Sequence, residues 1–366
     1  MSTAPQTVAE TLQETPLAAH LHPALIAYQG ALTPHVFSAL DQELLALTTT
    51  AGHYDLGYRA NLRITGADRL RWLNGMVTNT IQALPEGHWN YNLLLNAQGR
   101  IQGDANIYHT TDALLLQTSR SQIARLSAHL DHFIIMDDVE LQPLDAEQTS
   151  IGIAGPQVPH ILVALGLPIP EESAFTTTSL NGTAVTLVHA HSPLVPRFEI
   201  WLHTAALANV WAALRNAGAE PCGVAAIEAL RVLEATPLYG VDIQERHLAQ
   251  ETAQMRALNF NKGCYLGQEI VERIRSRATV HRTLRQFSVE NAAAALEPGQ
   301  TIEINAEGAE RNPVGELTSL ARYALPAFKG VLALGFIRTE AVERSLPLTH
   351  SGGGITVLDA PPAFGQ

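Results

Sequence analysis

Asn261-Lys262-Gly263-Cys264-Tyr265-Leu266-Gly267-Gln268-Glu269 sets a cysteine between two glycines, two residues after a lysine. It runs directly into Ile270-Val271-Glu272-Arg273-Ile274-Arg275. Gly263 and Gly267 permit tight turns or positive φ, so the backbone is expected to fold closely around the thiol. Ile270, Val271 and Ile274 recur at helical spacing, and Glu269 stands one turn before Arg273, placed for an ion pair. A thiol near Lys262 and a helix N-terminus is expected to have a lowered pKa, because both favour the thiolate. The plainer reading of Cys264 is a small buried hydrophobe, the common state of a free cysteine. Both readings stand at this point.

A chain of 366 residues is too long for one ordinary core, which predicts two or three domains. With 46% hydrophobic and 16% charged residues it reads as well packed rather than disordered. No apolar run approaches the ~20 residues of a membrane-spanning helix. The first two dozen residues hold Glu10 and Glu14 and no Lys or Arg, so a short tail is expected rather than a secretory or transit signal, and a cytoplasmic location with it. Two cysteines, Cys222 and Cys264, exclude a disulfide framework and are too few to hold an iron–sulfur cluster by thiolates alone. The 15 histidines are scattered, none at zinc-protease spacing, and no metal site is expected. A net charge of −12 disfavours a general nucleic-acid binder. One segment departs from that balance: Arg273, Arg275, Arg277, Arg282 and Arg285, with His281. It is either a solvated face balanced by Glu269 and Glu272, or a rim for a phosphate, a polyglutamate tail or an RNA backbone.

In order along the chain, residues near 15–50 read as helical and 52–66 as one strand alternating after Gly57. A helix from Arg69 to Met76 follows, with Asp68 as its N-terminal acid. Asn90–Leu95 and Arg100–Tyr108 form a hairpin around the turn 96–99, and Ala113–Thr118 leads into a helix from Arg120 to Phe133. Residues 149–155 form a buried strand, with Pro156 in the first turn of the next helix. Strands near 183–189 and 197–202 and helices over 205–217 and 223–234 complete this part. Without βαβ spacing or a Gly-rich phosphate loop, the class is α+β. After Arg282 short strands separated by Pro/Gly turns predict a small antiparallel barrel. The expected units are 1–50 (tail and helices), 51–145, 146–280 and 281–366 (barrel).

Lys262, Gly263, Cys264, Tyr265, Gly267, Gln268 and Glu269 together match the K-G-C-Y-x-G-Q-E signature, and in this the chain resembles the YgfZ family, folate-binding relatives of the glycine-cleavage T-protein, an aminomethyltransferase. The segment Tyr91–Asp104 resembles the T-protein hairpin that ends in Asp-Asp, present here as Gly103-Asp104. Ile153–Pro156 resembles its strand-to-helix turn, Arg197–Ile200 its "GFEI" strand, and Ala229–Glu234 the helix whose arginine lines the same cavity. The resemblance covers about residues 50–340. It implies a three-lobed cloverleaf around a central folate pocket, closed by a C-terminal barrel. It also implies tetrahydrofolate, or a one-carbon-substituted form, as cofactor, with Tyr91, Asp104, Glu199, Arg231, Tyr265, Gln268 and Glu269 as binding residues.

The residue chemistry is compatible. A pterin edge carries N–H donors that a buried carboxylate such as Glu199 accepts as a set. Arg231 suits a carboxylate, and Tyr91 can stack on a ring system. The resemblance makes Cys264, with Lys262 tuning it, the working thiol of a protein that supports iron–sulfur cluster assembly or repair. Its implied partners are reduced folate, cluster assembly proteins and clients, among them radical tRNA-modifying enzymes. A second reading is a folate-dependent aminomethyl- or methyltransferase using Asp104. The lost carboxylate at Gly103 and the presence of the cysteine octet both point away from it. A third is a folate-sensing or tRNA-binding module using a weak contact along Arg273–Arg285.

Overall fold

The computed structural model describes residues 12–144, 147–277, 280–292, 296, 299–306 and 313–362. Residues 1–11 of the expected tail and the side chain of Arg277 lie outside them.

Two sheets are built from the alternating segments, each giving one face to an apolar core. In one sheet the order is Trp89–Leu95, Ile101–His109, Leu114–Ser119, Arg59–Thr65, Glu140–Pro143, antiparallel throughout. Its back, including Ile64, Leu94, Ile107 and Leu116, packs with Leu126 and Leu130 of the helix Arg120–Asp131. In the other the order is Phe175–Leu180, Thr183–His189, Arg197–His203, Gln148–Ala154, Gly52–Asp55, Glu220–Cys222, with only the last pair parallel. Its back, Ile151, Ile153, Phe198 and Ile200, is covered by the helices Val158–Ala164 and Leu207–Asn216. The third lobe is a closed antiparallel barrel: Arg282–Val289, Lys329–Arg338, Gly315–Ala324, Ile302–Ala306, Leu348–His350, Gly353–Leu358. Closure leaves it no free strand edge. The α+β class and the C-terminal barrel are as the sequence predicts.

Three local readings change. Residues near 15–50 are not one helical stretch; a hairpin, Leu25–Tyr28 with Ala31–Pro34, separates the helices Pro16–Leu21 and Leu40–Thr49. The segment 52–66 is two strands in different sheets, broken where Gly57 N–H donates to Asp55 Oδ1 at 2.8 Å. A strand inside the expected 51–145 unit thus pairs with strands of the 146–280 unit. Pro156 sits in the turn before the helix Val158–Ala164 rather than in its first turn, which holds Pro159.

The helix Val224–Leu233 joins the lobes, buried on nearly every side. It packs against Leu44, Leu47 and Tyr54 on one side and against Ala321, Tyr323, Leu332 and Leu334 of the barrel on the other. Gln286 Nε2 donates to the Val232 and Leu233 carbonyls (2.7 and 2.9 Å), answering two acceptors of the last turn. Tyr323 Oη donates to the Ala229 carbonyl at 2.7 Å.

His53 packs on Trp211 (4.1 Å) and His247 stacks on Phe336 (4.1 Å), both without solvent exposure. Burial pushes each pKa from 6.5 down to about 3. The unfolded chain therefore takes up protons near pH 6.5 that the folded chain refuses until about 3, so this contribution is complete above 6.5 and lost as pH falls through that window. Each histidine is expected to add about 1.4 kcal/mol per pH unit to the slope. Urea unfolding between about pH 7 and pH 4 measures it, and His247→Gln should flatten the curve; an unchanged slope contradicts this.

Candidate functional site

Cross-strand pairing decides which side chains share the inner face of the first sheet. Trp89 stands opposite Tyr108, Tyr91 opposite Asn106, Leu93 opposite Asp104, and Asn106 opposite Gln117. Tyr91, Asp104, Tyr108 and Gln117 therefore point the same way, toward the second sheet. There Glu199 stands opposite Gly152, and Gly152 opposite Tyr54. A Cβ on Gly152 would lie 2.1 Å from the Tyr54 ring, so the glycine lets that ring lie across the sheet beside Glu199. Arg197 and Trp201, two residues either side of Glu199, share its face.

Two polar groups result. In one, Glu199 is 4% exposed and its Oε2 accepts from Trp201 Nε1 at 2.9 Å. Its Oε1 lies 3.9 Å from Arg59 NH2 and has no hydrogen-bond donor among the described residues. Arg59 NH1 and, at longer range, Tyr108 Oη (3.3 Å) both donate to Gln117 Oε1, and Tyr108 meets Trp201 edge-on at 4.5 Å. In the other, Tyr91 Oη donates to Asp104 Oδ2 at 2.8 Å, and Gln122 Nε2 to Asp104 Oδ1 at 2.9 Å. Burial, then the Asp104 charge, raises the Tyr91 pKa, so the phenol keeps its proton and is the donor.

Arg256 belongs to this second group and was not read from the sequence. Its guanidinium carbon lies 4.2 Å over the Tyr91 ring. It comes from a 3₁₀ turn, Met255–Ala257, with no motif to mark it; the one signal is that an arginine sits six residues before Lys262 in an otherwise apolar and amide-rich loop.

Arg231 is placed elsewhere. All five of its N–H groups are taken: by Glu228 (2.6–3.1 Å), Asp242 (2.6 Å), the Thr236 carbonyl (3.1 Å) and Ser319 (3.0 Å). Asp242 in turn accepts from Thr318 (2.5 Å) and Ser319 (2.7 Å), brought side by side by a bulge in the barrel strand. Arg231 is thus a staple between helix and barrel, and the expected folate contact is replaced by this network.

The cysteine octet is also built differently from expectation. Lys262 Nζ donates to the carbonyls of Asn74, Val77 and Asn79, each at 2.6 Å. An ammonium has three hydrogens, so none remains for Cys264. Burial pushes the lysine pKa down to about 7, while three carbonyl acceptors, one at a helix C-terminus, hold the charged form. Around this anchor Thr78, Asn79 and Gly75 exchange further hydrogen bonds with Ala257, Arg256, Asn259 and Leu266. Gly267 has φ +82°, and a Cβ there would lie 2.7 Å from the Asn96 carbonyl, which fixes the loop on the 96–99 turn. Gly263 meets no such constraint; a Cβ there enters open space.

Cys264 is exposed and Cys222 buried, so the buried-hydrophobe reading belongs to Cys222. Tyr265 is 8% exposed, Gln268 turns its Oε1 onto the Tyr265 N–H (3.3 Å), and Glu269 is exposed. On the helix Gln268–Arg277 the ion pair is Glu272 with Arg275 (3.6 Å), not Glu269 with Arg273. Of the expected basic rim, Arg282 is committed to Glu251 (3.0 Å) and Arg275 lies 4.5 Å over Phe260. Among the described residues no cluster of His, Cys, Asp and Glu could hold a metal ion, and no helix is long and apolar enough to cross a membrane.

If Lys262 is a loop anchor, Lys262→Met leaves three carbonyls without their donor and should lower stability by about 3 kcal/mol in urea unfolding. Unchanged stability, with Cys264 alkylation shifted to higher pH, would return the lysine to thiol activation.

Residues 19–262 match the GCVT N-terminal domain model. The chain is 26% identical to an aminomethyltransferase of Exiguobacterium sibiricum over 71% of its length and 74% of that protein's. It is 26% identical to one of Chlorobium chlorochromatii over 88% and 93%. A putative chloroplastic transferase of Arabidopsis thaliana is 25% identical over 82% of this chain and 68% of its own. The crystal structure of the glycine cleavage system aminomethyltransferase T from Bartonella henselae superposes with a TM-score of 0.85 at 18% identity, covering 97% of this chain and all of that one, and shows the same fold. The chain belongs to the family of the GCVT N-terminal domain and has the aminomethyltransferase fold.

Proposed function

We propose that the protein binds a reduced folate between the inner faces of its two sheets and supports iron–sulfur cluster assembly or repair through Cys264, with radical tRNA-modifying enzymes among its clients. The observation that carries the reading is an exposed thiol on a loop anchored through Lys262 to the turn 74–79 and through Gly267 to the 96–99 turn of the hairpin that bears Tyr91 and Asp104.

The chain's own residues fit a pterin. Among the described residues Glu199 Oε1 lacks a donor, and a pterin edge offers adjacent N–H groups to a carboxylate. Arg59 balances the buried charge from 3.9 Å. Trp201 fixes the rotamer of the acid, and Tyr54 and Tyr108 flank it. When bound, a reduced folate supplies a one-carbon carrier. Asp104, held by Tyr91 and Gln122, is the carboxylate positioned to handle a proton beside it. That retained carboxylate, with the likeness to aminomethyltransferases, favours a second reading as a folate-dependent aminomethyltransferase.

Calorimetric titration with tetrahydrofolate separates the parts. Glu199→Gln still accepts from Trp201 but loses the charge, and should weaken binding at least ~10-fold. Cys264→Ser should bind folate like the parent yet fail to restore iron–sulfur enzyme activity in cells lacking the protein. Full restoration, with methylenetetrahydrofolate formed from an aminomethyl-lipoyl donor, would favour the second reading.

A further inference from the structure

Asp104 lies just past the end of one ladder of the first sheet. The register between Ile101–His109 and Leu114–Ser119 runs from His109 opposite Leu114 to Asn106 opposite Gln117, and Leu114–Ser119 then passes into the helix Arg120–Asp131. Side chains answer the Asp104 backbone there. Its N–H donates to Gln122 Oε1 at 3.2 Å, and its carbonyl accepts from Thr118 Oγ1 at 2.8 Å. Gln122 also returns to the acid itself: Nε2 gives one hydrogen to Asp104 Oδ1 at 2.9 Å and the other to Ser119 Oγ at 3.1 Å. A flipped amide would set donor against donor at the Asp104 N–H, so the network fixes which end of Gln122 is which. Gln122 is 5% exposed, and water does not compete for these bonds.

The residue before Asp104 makes room for this clamp. Successive residues of a strand face opposite sides, so Gly103 turns away from the inner face, toward the core that holds Ala105, Ile107 and Leu126. A Cβ on Gly103 would lie 2.8 Å from Gln122 Oε1 and 2.7 Å from Leu126 Cδ2, one turn further along the same helix. A side chain at 103 therefore competes with Gln122 for its place beside Asp104. An acid at 103 would meet Leu126 rather than the inner face, so Gly-Asp in place of Asp-Asp removes no inward carboxylate.

We infer that Gln122 is the positioning residue for Asp104, and that glycine at 103 is what admits it. The amide holds the backbone and one oxygen of the acid together, while Tyr91 Oη holds the other oxygen at 2.8 Å. Each oxygen accepts one of these bonds and keeps a second lone pair, and Asp104 remains partly exposed, so the acid is fixed in place yet able to accept from a ligand. The role rests on the folate reading for the ligand that Asp104 meets. It also changes the weight of the second reading. Gly103 does not count against aminomethyl transfer, because the inward acid stays in place, braced by an amide.

Calorimetric titration of the full chain with tetrahydrofolate tests this through Gln122→Glu. The new carboxyl keeps an acceptor for the Asp104 N–H but sets a second charge beside Asp104, until the pair takes up one proton and the missing donor is restored. At about pH 8 binding should be at least ~10-fold weaker than in the parent, and at about pH 5.5 within about threefold of the parent at that pH. Gly103→Ala, which intrudes on the same space, should also weaken binding, and adding it to Gln122→Met should weaken it no further than the stronger single change. The inference is overturned if Gln122→Glu binds like the parent at about pH 8, or if its deficit is the same at both pH values, as a merely structural role would give. Full additivity of Gly103→Ala and Gln122→Met, or parental affinity in Asp104→Ala, overturns it too. If the parent itself does not bind tetrahydrofolate, the folate reading falls and the clamp is judged in the free protein by NMR. Exchange of the Gln122 side-chain amide protons should then quicken ~10-fold or more in Asp104→Ala, and unchanged exchange would refute the clamp.

Discussion

Burying Arg231 is the constraint on which the assembly of lobes depends. A guanidinium taken out of water is tolerated only when each hydrogen and the net charge are answered. Here the answers come from three places: Glu228 on its own helix, Asp242 on the following loop and Ser319 in the barrel. Because Asp242 is shared with Thr318 and Ser319, the loop and barrel cannot move independently of the helix. The helix in turn packs on Tyr54, whose ring lies across Gly152 beside Glu199. The position of Glu199 is therefore coupled through packing to the charge network around Arg231.

Lys262 plays the same part for the thiol. Its three carbonyl contacts tie the cysteine loop to the turn 74–79, and that turn is bound to Tyr91 and Arg256 by Asn79. The two halves of the site thus share one scaffold, with Cys264 outside and Asp104 inside. A loop held this firmly can present an exposed sulfur at a fixed place without charge activation from its lysine neighbour.

Local pattern made much of this legible. The hairpin at 96–99, the helices over 120–131 and 224–233 and the barrel strands follow from period and turn residues. Glu199, Tyr91 and Asp104 fall on inner faces because strand alternation is strict, so their grouping was within reach of the sequence. What escaped it depends on distant partners. Arg231 and Lys262 are charged residues whose use is decided by barrel side chains and by carbonyls almost 190 positions away, which spacing cannot show. Gly52–Asp55 and Arg59–Thr65 look like one strand until their partners are known. Phe175–Leu180, rich in Thr and Ser, is an edge strand with little apolar alternation to announce it. Arg256 belongs to no motif, and only its placement over Tyr91 gives it meaning.

The central claim is that ligand recognition occurs between the two inner sheet faces. Hydrogen–deuterium exchange with and without tetrahydrofolate tests it most directly. The account predicts slowed exchange in the peptides spanning 89–108, 197–203 and 254–258, with the outer faces unchanged. Protection confined to the surface groove lined by Leu21, Phe37, Trp211 and Arg215, or none at the inner faces, would contradict it.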